Sequence, residues 1–440
     1  MKIFEKKYIK ELFYLALPII MGNLGHILLG AGDCFVAGRY STSAVAAISI
    51  ATSINATIMM FGTGLVFSIS PILSNKRGAK EGAKKYFYPS LRFAIVSGLI
   101  LMLVTFAYIP LLGYLGFEKT LLKNIQLYTW IVALSTIPAQ INITIKEYLQ
   151  SFEIIFFPNL LLILSVVVNI FFNYIFVYGK FGLPEMGVGG IALATTLVRT
   201  MLMVILFMFC IDHFKFHNFV DRNYYKQIIK IGFPLSVAII IEFIAFNYIA
   251  VILGRINGIY AAAHSIIMIL SSSSFMIPTS IANALAVKVG YANGSRNYKE
   301  IVNYIKNGMG VSISFMLVMA LVFFMFPHQL AGIFTRDKAL INIIVPVMSL
   351  VAFFQVSDGI QSTLSGVFKG LKRTKFVMIS NTIAYLFLSI SLGFYLGVIK
   401  KMYLYGCWLA IAISSVVLAT ILICFLLNIL RNLKKEYAQS

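Results

Sequence analysis

The sequence predicts an all-α polytopic membrane protein: twelve transmembrane helices in two parallel six-helix repeats. Three observations predict it. Of 440 residues, 60% are hydrophobic and only 12% charged, about half the charged share of a soluble protein. Twelve apolar runs are long enough to cross a lipid core of ~30 Å. The chain also resembles itself when shifted by 216 residues.

The apolar runs cover residues 12–38, 44–71, 89–115, 125–149, 157–178, 187–211, 229–252, 260–288, 304–327, 342–368, 376–397 and 405–430. Their length and continuity fit helices and not the alternating ten-residue pattern of a membrane β-barrel. The polar stretches between them, near 74–92, 212–230 and 291–300, are too short for a separate soluble domain. A net charge of +21 would point to nucleic acid in a soluble chain. Here the basic residues sit in loops between apolar runs, which is the pattern of membrane topology. The four cysteines, Cys34, Cys210, Cys407 and Cys424, form no CxxC pair and read as small buried side chains. The basic stretch Met1 to Lys10 runs straight into the first apolar segment without a clear cleavage site, so that segment is expected to be retained.

Charge bias sets the orientation. With the N-terminus in the cytoplasm, 25 Lys and Arg fall inside and nine outside, as the positive-inside rule requires. Both termini are then cytoplasmic. Arg92 and Arg199 lie within assigned spans, near the cytoplasmic ends of spans 3 and 6, where snorkelling to the interface is expected. Under the 216-residue shift Pro18 falls on Pro234, Gly38-Arg39 on Gly254-Arg255, Ala46-Ala47 on Ala262-Ala263, and Gly78 on Gly294. In the window 37–50, six of fourteen positions are identical. Six spans per half is an even number, so both halves, residues 1–215 and 216–440, enter with the same orientation and form parallel repeats. A central transport cavity belongs at the interface of such repeats.

Three acids lie inside spans: Asp33 in span 1, Glu242 in span 7 and Asp358 in span 10. A carboxylate in hydrocarbon is tolerated where it faces a hydrated cavity, pairs with a cation or holds a proton. Trading that proton or cation for another is the chemistry of ion-coupled transport, and the same site attracts cationic organic molecules. Asn169 and Asn173, four apart on one face of span 5, and Thr195 in span 6 offer oxygens for a small hard cation or for a protonated acid. Asn and Thr also join membrane helices without a ligand. His26 and His264 lie in spans with no ligand-spaced cluster around them. Ser271–Ser274 either lines a polar cavity or packs closely, and Phe61, Phe275 and Phe354 lie at cavity depth.

These stretches resemble the multidrug and toxic compound extrusion (MATE) transporter family, in its NorM branch. The resemblance is carried by Leu15-Ala16-Leu17-Pro18, by Asp33 to Arg39 followed by Ala44 to Ile50, by Asn173 to Glu185, and by Asp358-Gly359-Ile360-Gln361 leading to Gly366 and Lys369-Gly370. It implies a twelve-helix antiporter with an N-terminal and a C-terminal six-helix lobe, exporting cationic amphipathic drugs, dyes and other toxic compounds in exchange for Na+ or H+. It implies multidrug efflux and antibiotic resistance, a functional monomer in a bacterial inner (plasma) membrane, and no cofactor beyond the coupling ion. Asp33 matches the N-lobe acid, with Asn169, Asn173 and Thr195 as its polar shell. Glu242 and Asp358 match the C-lobe acids tied to cation coupling. A sodium ion would sit at Glu242 and Asp358, or at Asp33, Asn169, Asn173 and Thr195. Two departures stand out: Phe354 replaces a tyrosine four residues before the last acid, and Asn173 stands where some relatives carry a second acid. A flippase or exporter of lipid-linked or anionic cargo shares the architecture. An enzyme is not expected, because no nucleophile, base or metal set clusters in the sequence.

Overall fold

A computed structural model of the chain describes residues 5–211 and 220–438. The described residues are helical, apart from short connections, with no strand. The helices are α1 (Lys6–Tyr40), α2 (Thr42–Val66), α3 (Ile69–Gly78), α4 (Phe87–Tyr108), α5 (Lys119–Leu134), α6 (Thr136–Ser151), α7 (Phe156–Tyr178), α8 (Val188–Ile211), α9 (Arg222–Ile256), α10 (Gly258–Gly294), α11 (Tyr298–Met325), α12 (Pro327–Phe334), α13 (Lys338–Gly370), α14 (Lys375–Asn381), α15 (Ile390–Phe394) and α16 (Tyr403–Ala438). Among the described residues, eleven helical runs are long and apolar enough to cross a membrane. The predicted span 125–149 is instead broken: α5 and α6, 16 residues each, meet at Ser135.

The break has a local cause. Pro138 has no N–H to give the Leu134 carbonyl, so one helical hydrogen bond is missing there. Ser135 tightens the last turn of α5, with its N–H donating to the Val132 carbonyl at 2.9 Å and its Oγ to the same oxygen at 2.7 Å. Pro18, Pro234, Pro278 and Pro346, by contrast, are carried inside continuous helices.

Packing is inverted relative to a soluble bundle. On α4 the large apolar side chains Ile95, Val96, Leu99, Ile100, Leu103 and Val104 are exposed, while the buried stripe includes Pro89, Ser90, Ala94, Ser97, Gly98 and Thr105. In lipid the outer face gains nothing from being polar, and helices associate through small residues that let backbones approach.

The described chain forms two compact units. One comprises Leu17–Leu73 and Glu81–Ser236; the other comprises Met1–Ala16, Ser74–Lys80 and Val237–Ser440. A cut at residues 215 and 216 follows the duplication, whereas the compact units follow packing. The first helix of each half begins in one unit and ends in the other, and the change falls beside Pro18 in α1 and close to Pro234 in α9. Polar side chains secure these segments. In the unit containing the chain start, Asn303 Nδ2 donates to the Tyr8 hydroxyl at 3.0 Å, the Tyr304 hydroxyl donates to Glu11, and Lys288 pairs with Glu11 at 3.3 Å. In the other unit, Ser68 Oγ donates to the Ile228 carbonyl at 3.2 Å and Ser236 Oγ to the Phe61 carbonyl at 2.6 Å.

The duplication is visible inside one unit. Gly78 of α3 lies on the Tyr291 carbonyl of α10, and Gly294 of α10 lies on the Asn75 carbonyl of α3. Tyr291 is the repeat mate of Asn75, as Gly294 is of Gly78, so each helix end makes the other's contact about a local two-fold. Neither glycine leaves room for a Cβ. Gly294→Leu is expected to cost about 1–3 kcal/mol and to lower the unfolding midpoint of the purified protein in detergent. Gly30→Leu, at a position with no neighbour for its Cβ within 4 Å, should leave that midpoint in place.

Candidate functional site

Asp33 is buried on α1 and holds the hydrogen-bonded centre of its unit. Asn173 Nδ2 on α7 donates to Asp33 Oδ1 at 2.7 Å, and Thr195 Oγ1 on α8 donates to Asp33 Oδ2 at 3.2 Å. Asn173 Nδ2 also donates to Asn169 Oδ1 at 3.1 Å, one turn away on the same face of α7. Asp33, Asn169, Asn173 and Thr195 are therefore together. The Asn173 Oδ1 atom is buried without a hydrogen-bond partner, an acceptor left over in a cluster already rich in oxygen. α1 reaches α7 closely enough for this because Gly25 and Gly32 pack on Leu162 and Ile170.

Glu242 on α9 and Asp358 on α13 share the second unit, within electrostatic range of each other. Gln361 Nε2, one turn beyond Asp358, donates to its Oδ1 at 2.9 Å. Asp358 is buried and Glu242 half-buried. Among the described residues no Lys, Arg or His forms an ion pair with Asp33, Glu242 or Asp358.

A third group completes this cluster, and no sequence spacing pointed to it. Tyr385 is fully buried in electrostatic range of both Glu242 and Asp358. Its hydroxyl lies near Ser415 but has no partner at hydrogen-bond geometry, while Ser415 Oγ donates to Ser357 Oγ at 2.8 Å. Tyr385 belongs to a π-helical stretch, Thr382–Ser389. The wider turn rotates its side chain off the face that α-helical spacing would assign, which is why the sequence concealed it.

Other expectations are redrawn. Phe354 is core rather than cavity wall: it is 2% exposed and packs edge-on to Trp408 and Phe246. His264 stacks obliquely beside the same Trp408, with its Nδ1 unpartnered. The serine run divides, Ser271 and Ser274 being buried and Ser272 and Ser273 exposed. Arg199 does not snorkel to a helix end. It lies mid-way along α8, where its guanidinium donates to Ser135 Oγ at 2.7 Å, at the break between α5 and α6.

A family model, MatE, matches residues 18–175 and again 234–395. The chain belongs to the MatE family. The model matches once in each half, as the internal repeat requires. Members of this family are membrane transporters rather than enzymes, and the chain is a multi-pass membrane protein. Among curated relatives, the probable multidrug resistance protein NorM of Photorhabdus laumondii is 26% identical over 430 residues, 94% of each chain. The protein of the same name in Idiomarina loihiensis is 28% identical over 437 residues, covering 96% of this chain and 94% of that one. A crystal structure of MATE in the bent conformation superposes with a TM-score of 0.90 at 18% identity, covering 99% of this chain and 100% of that chain. The structure of a eukaryotic MATE transporter gives 0.86 at 18%, covering 98% and 99%. The fold is thus the twelve-helix fold of the family.

Tyr385→Phe removes one unpartnered hydroxyl. An inert hydroxyl costs stability when left unsatisfied, so a purely structural residue would tolerate the change or gain from it. A hydroxyl that serves the acids during transport should instead be missed: transport is expected to fall roughly tenfold, the worth of one hydrogen bond to a charged group, with an unfolding midpoint unchanged or raised. Dye uptake into proteoliposomes and thermal unfolding, measured on the same preparation, check both.

Proposed function

We propose that the chain is a cation-coupled antiporter of a bacterial inner membrane that exports cationic, amphipathic toxic compounds, with Na+ or H+ as the coupling ion. One observation carries this reading: each compact unit holds a buried intramembrane carboxyl group with side-chain hydrogen-bond donors, Asp33 in one and Asp358 beside Glu242 in the other, and among the described residues none of the three acids forms an ion pair. A carboxylate without a cation in a low-dielectric setting binds one, whether a proton, a sodium ion or an organic cation. The relatives named for multidrug resistance support the class of cargo.

The two acid sites differ in donor chemistry. Asp33, Asn169, Asn173 and Thr195 bring oxygen ligands together, including the unpartnered Asn173 Oδ1, and oxygen sets suit small hard cations. Glu242 and Asp358 lie within electrostatic range of each other, and Tyr385 and Gln361 supply the remaining polar atoms. Two like charges in range favour a shared proton or a bound cation over two bare carboxylates.

Coupling follows if ion and drug each bind one conformation better than the other. Shifting a two-state equilibrium from 1:99 to 99:1 needs a differential of about 5.5 kcal/mol, within reach of buried charge neutralisation. Ion and drug that compete for the same negative charge exclude each other, so one is released as the other is taken. N- and C-termini on the cytoplasmic side and function as a monomer complete the proposal.

Glu242→Gln and Asp358→Asn, expressed at parental levels in proteoliposomes, are expected to lose at least about tenfold of gradient-driven export of a lipophilic cationic dye. Imposing sodium and proton gradients separately identifies the ion. Undiminished export against a gradient by both variants would sink the reading.

A further inference from the structure

The unit that contains Asp33 also contains three basic side chains that neither cation coupling nor drug-cation binding uses. Gly22, His26 and Asp33 lie four and seven residues apart in turn on α1, on one face of the helix. Lys146 on α6 reaches that face: its Nζ is 3.1 Å from where a Cβ on Gly22 would sit. Arg199 on α8 is one turn from Thr195, the residue that bonds Asp33. Asn142, one turn from Lys146 on α6, donates through Nδ2 to the Arg199 carbonyl at 2.8 Å. His26 is within electrostatic range of both Lys146 and Arg199. The three bases therefore converge from α1, α6 and α8 on one region next to the Asp33 cluster.

These charges are not consumed by structure. Among the described residues neither Lys146 nor Arg199 makes an ion pair. Arg199 spends one N–H on Ser135 Oγ. Among the described residues the only acid in electrostatic range of Lys146 is its chain neighbour Glu147, which has a partner of its own. Asn142 Oδ1 and Asn159 Oδ1, the latter set against Gly22, are buried and unpartnered. The bases remain reachable: His26 is exposed, and Lys146 and Arg199 are half-buried. Arg199 lies in electrostatic range of Asp33 without pairing with it, and among the described residues Lys146 has no acid on another helix in range; an accessible cation among apolar helices that is not paired is a place for an anion from outside.

We propose that His26, Lys146 and Arg199 form an anion subsite that takes the carboxylate or phosphate of an amphipathic ligand. It lies on the same stripe of α1 as Asp33, ~10 Å from it at His26 and ~16 Å at Gly22 by helical rise. A zwitterionic amphipath can thus place its cation at Asp33 and its anion at the basic end. The subsite adds a second charge contact to the drug-binding reading above and rests on that reading.

The test uses the full-length protein in detergent and a matched pair of dyes: rhodamine B, which carries a carboxylate, and its ethyl ester, which does not. Binding is read by fluorescence anisotropy. Lys146→Gln is expected to weaken rhodamine B about tenfold or more, the loss of one charge-assisted contact, while the ester stays within about twofold. Lys146→Arg should keep rhodamine B near the parental affinity. Laurate and dodecyl phosphate then compete for bound rhodamine B, and the stronger competitor names the headgroup. The subsite is refuted if the parent does not bind rhodamine B, if Lys146→Gln affects acid and ester alike, or if neither competitor displaces the dye. Failure of the ester to bind the parent would instead count against the drug-cation reading, so the two failures are distinct.

Discussion

Water is scarce in the lipid core, so each polar group placed there must find a partner within the protein or face a hydrated cleft. That requirement governs this chain more than any apolar contact does. Its helices show large aliphatic side chains to lipid at no cost, as α4 does with Ile95, Ile100 and Leu103. The interior combines large apolar clusters around Trp408 and Tyr148 with small and polar residues: Ser-to-carbonyl bonds within a helix, close glycine crossings, and the acids with their amide and hydroxyl donors. A lipid-facing apolar side chain can be exchanged for another with little consequence. A carboxyl group cannot, and the positions of Asp33, Glu242 and Asp358 mark what the bundle is built around.

The two units solve this problem with different chemistry on related scaffolds. In one, a single acid is satisfied by Asn173 and Thr195, and basic groups gather a turn or two away. In the other, two acids face each other with Gln361 and Tyr385 and no base is paired with them. Duplication preserved the packing, as the reciprocal contacts of Gly78 and Gly294 show, and left the polar positions free to diverge. His26 occupies the repeat position of Glu242, and Asn142 that of Asp358. The basic side of one unit thus stands where the acidic side of the other does.

Breaks in regular helix fall where polar groups need to be aimed. Ser135 ends α5 and receives the Arg199 guanidinium, holding a charge in mid-span that a continuous helix would have covered. The π-helical stretch Thr382–Ser389 turns Tyr385 towards the two acids. Both devices sacrifice α-helical hydrogen bonds, and both are found beside the charged groups rather than at the lipid face.

The sequence by itself determined the class, the number of crossings, the duplication and the three acids with Asn169, Asn173 and Thr195, because apolar run length and isolated charge are one-dimensional signals. Spacing by four also sufficed to put Asn169 and Asn173 on one face. Only the tertiary structure decided what depends on helix rotation and helix breaking: that Tyr385 joins Glu242 and Asp358, that Phe354 is core, that Arg199 stays in mid-span, and that the first helix of each half changes unit near its proline. Side-chain direction around a distorted helix, and the partner that a long side chain reaches on another helix, are set by packing among segments far apart in the chain. No local pattern encodes them.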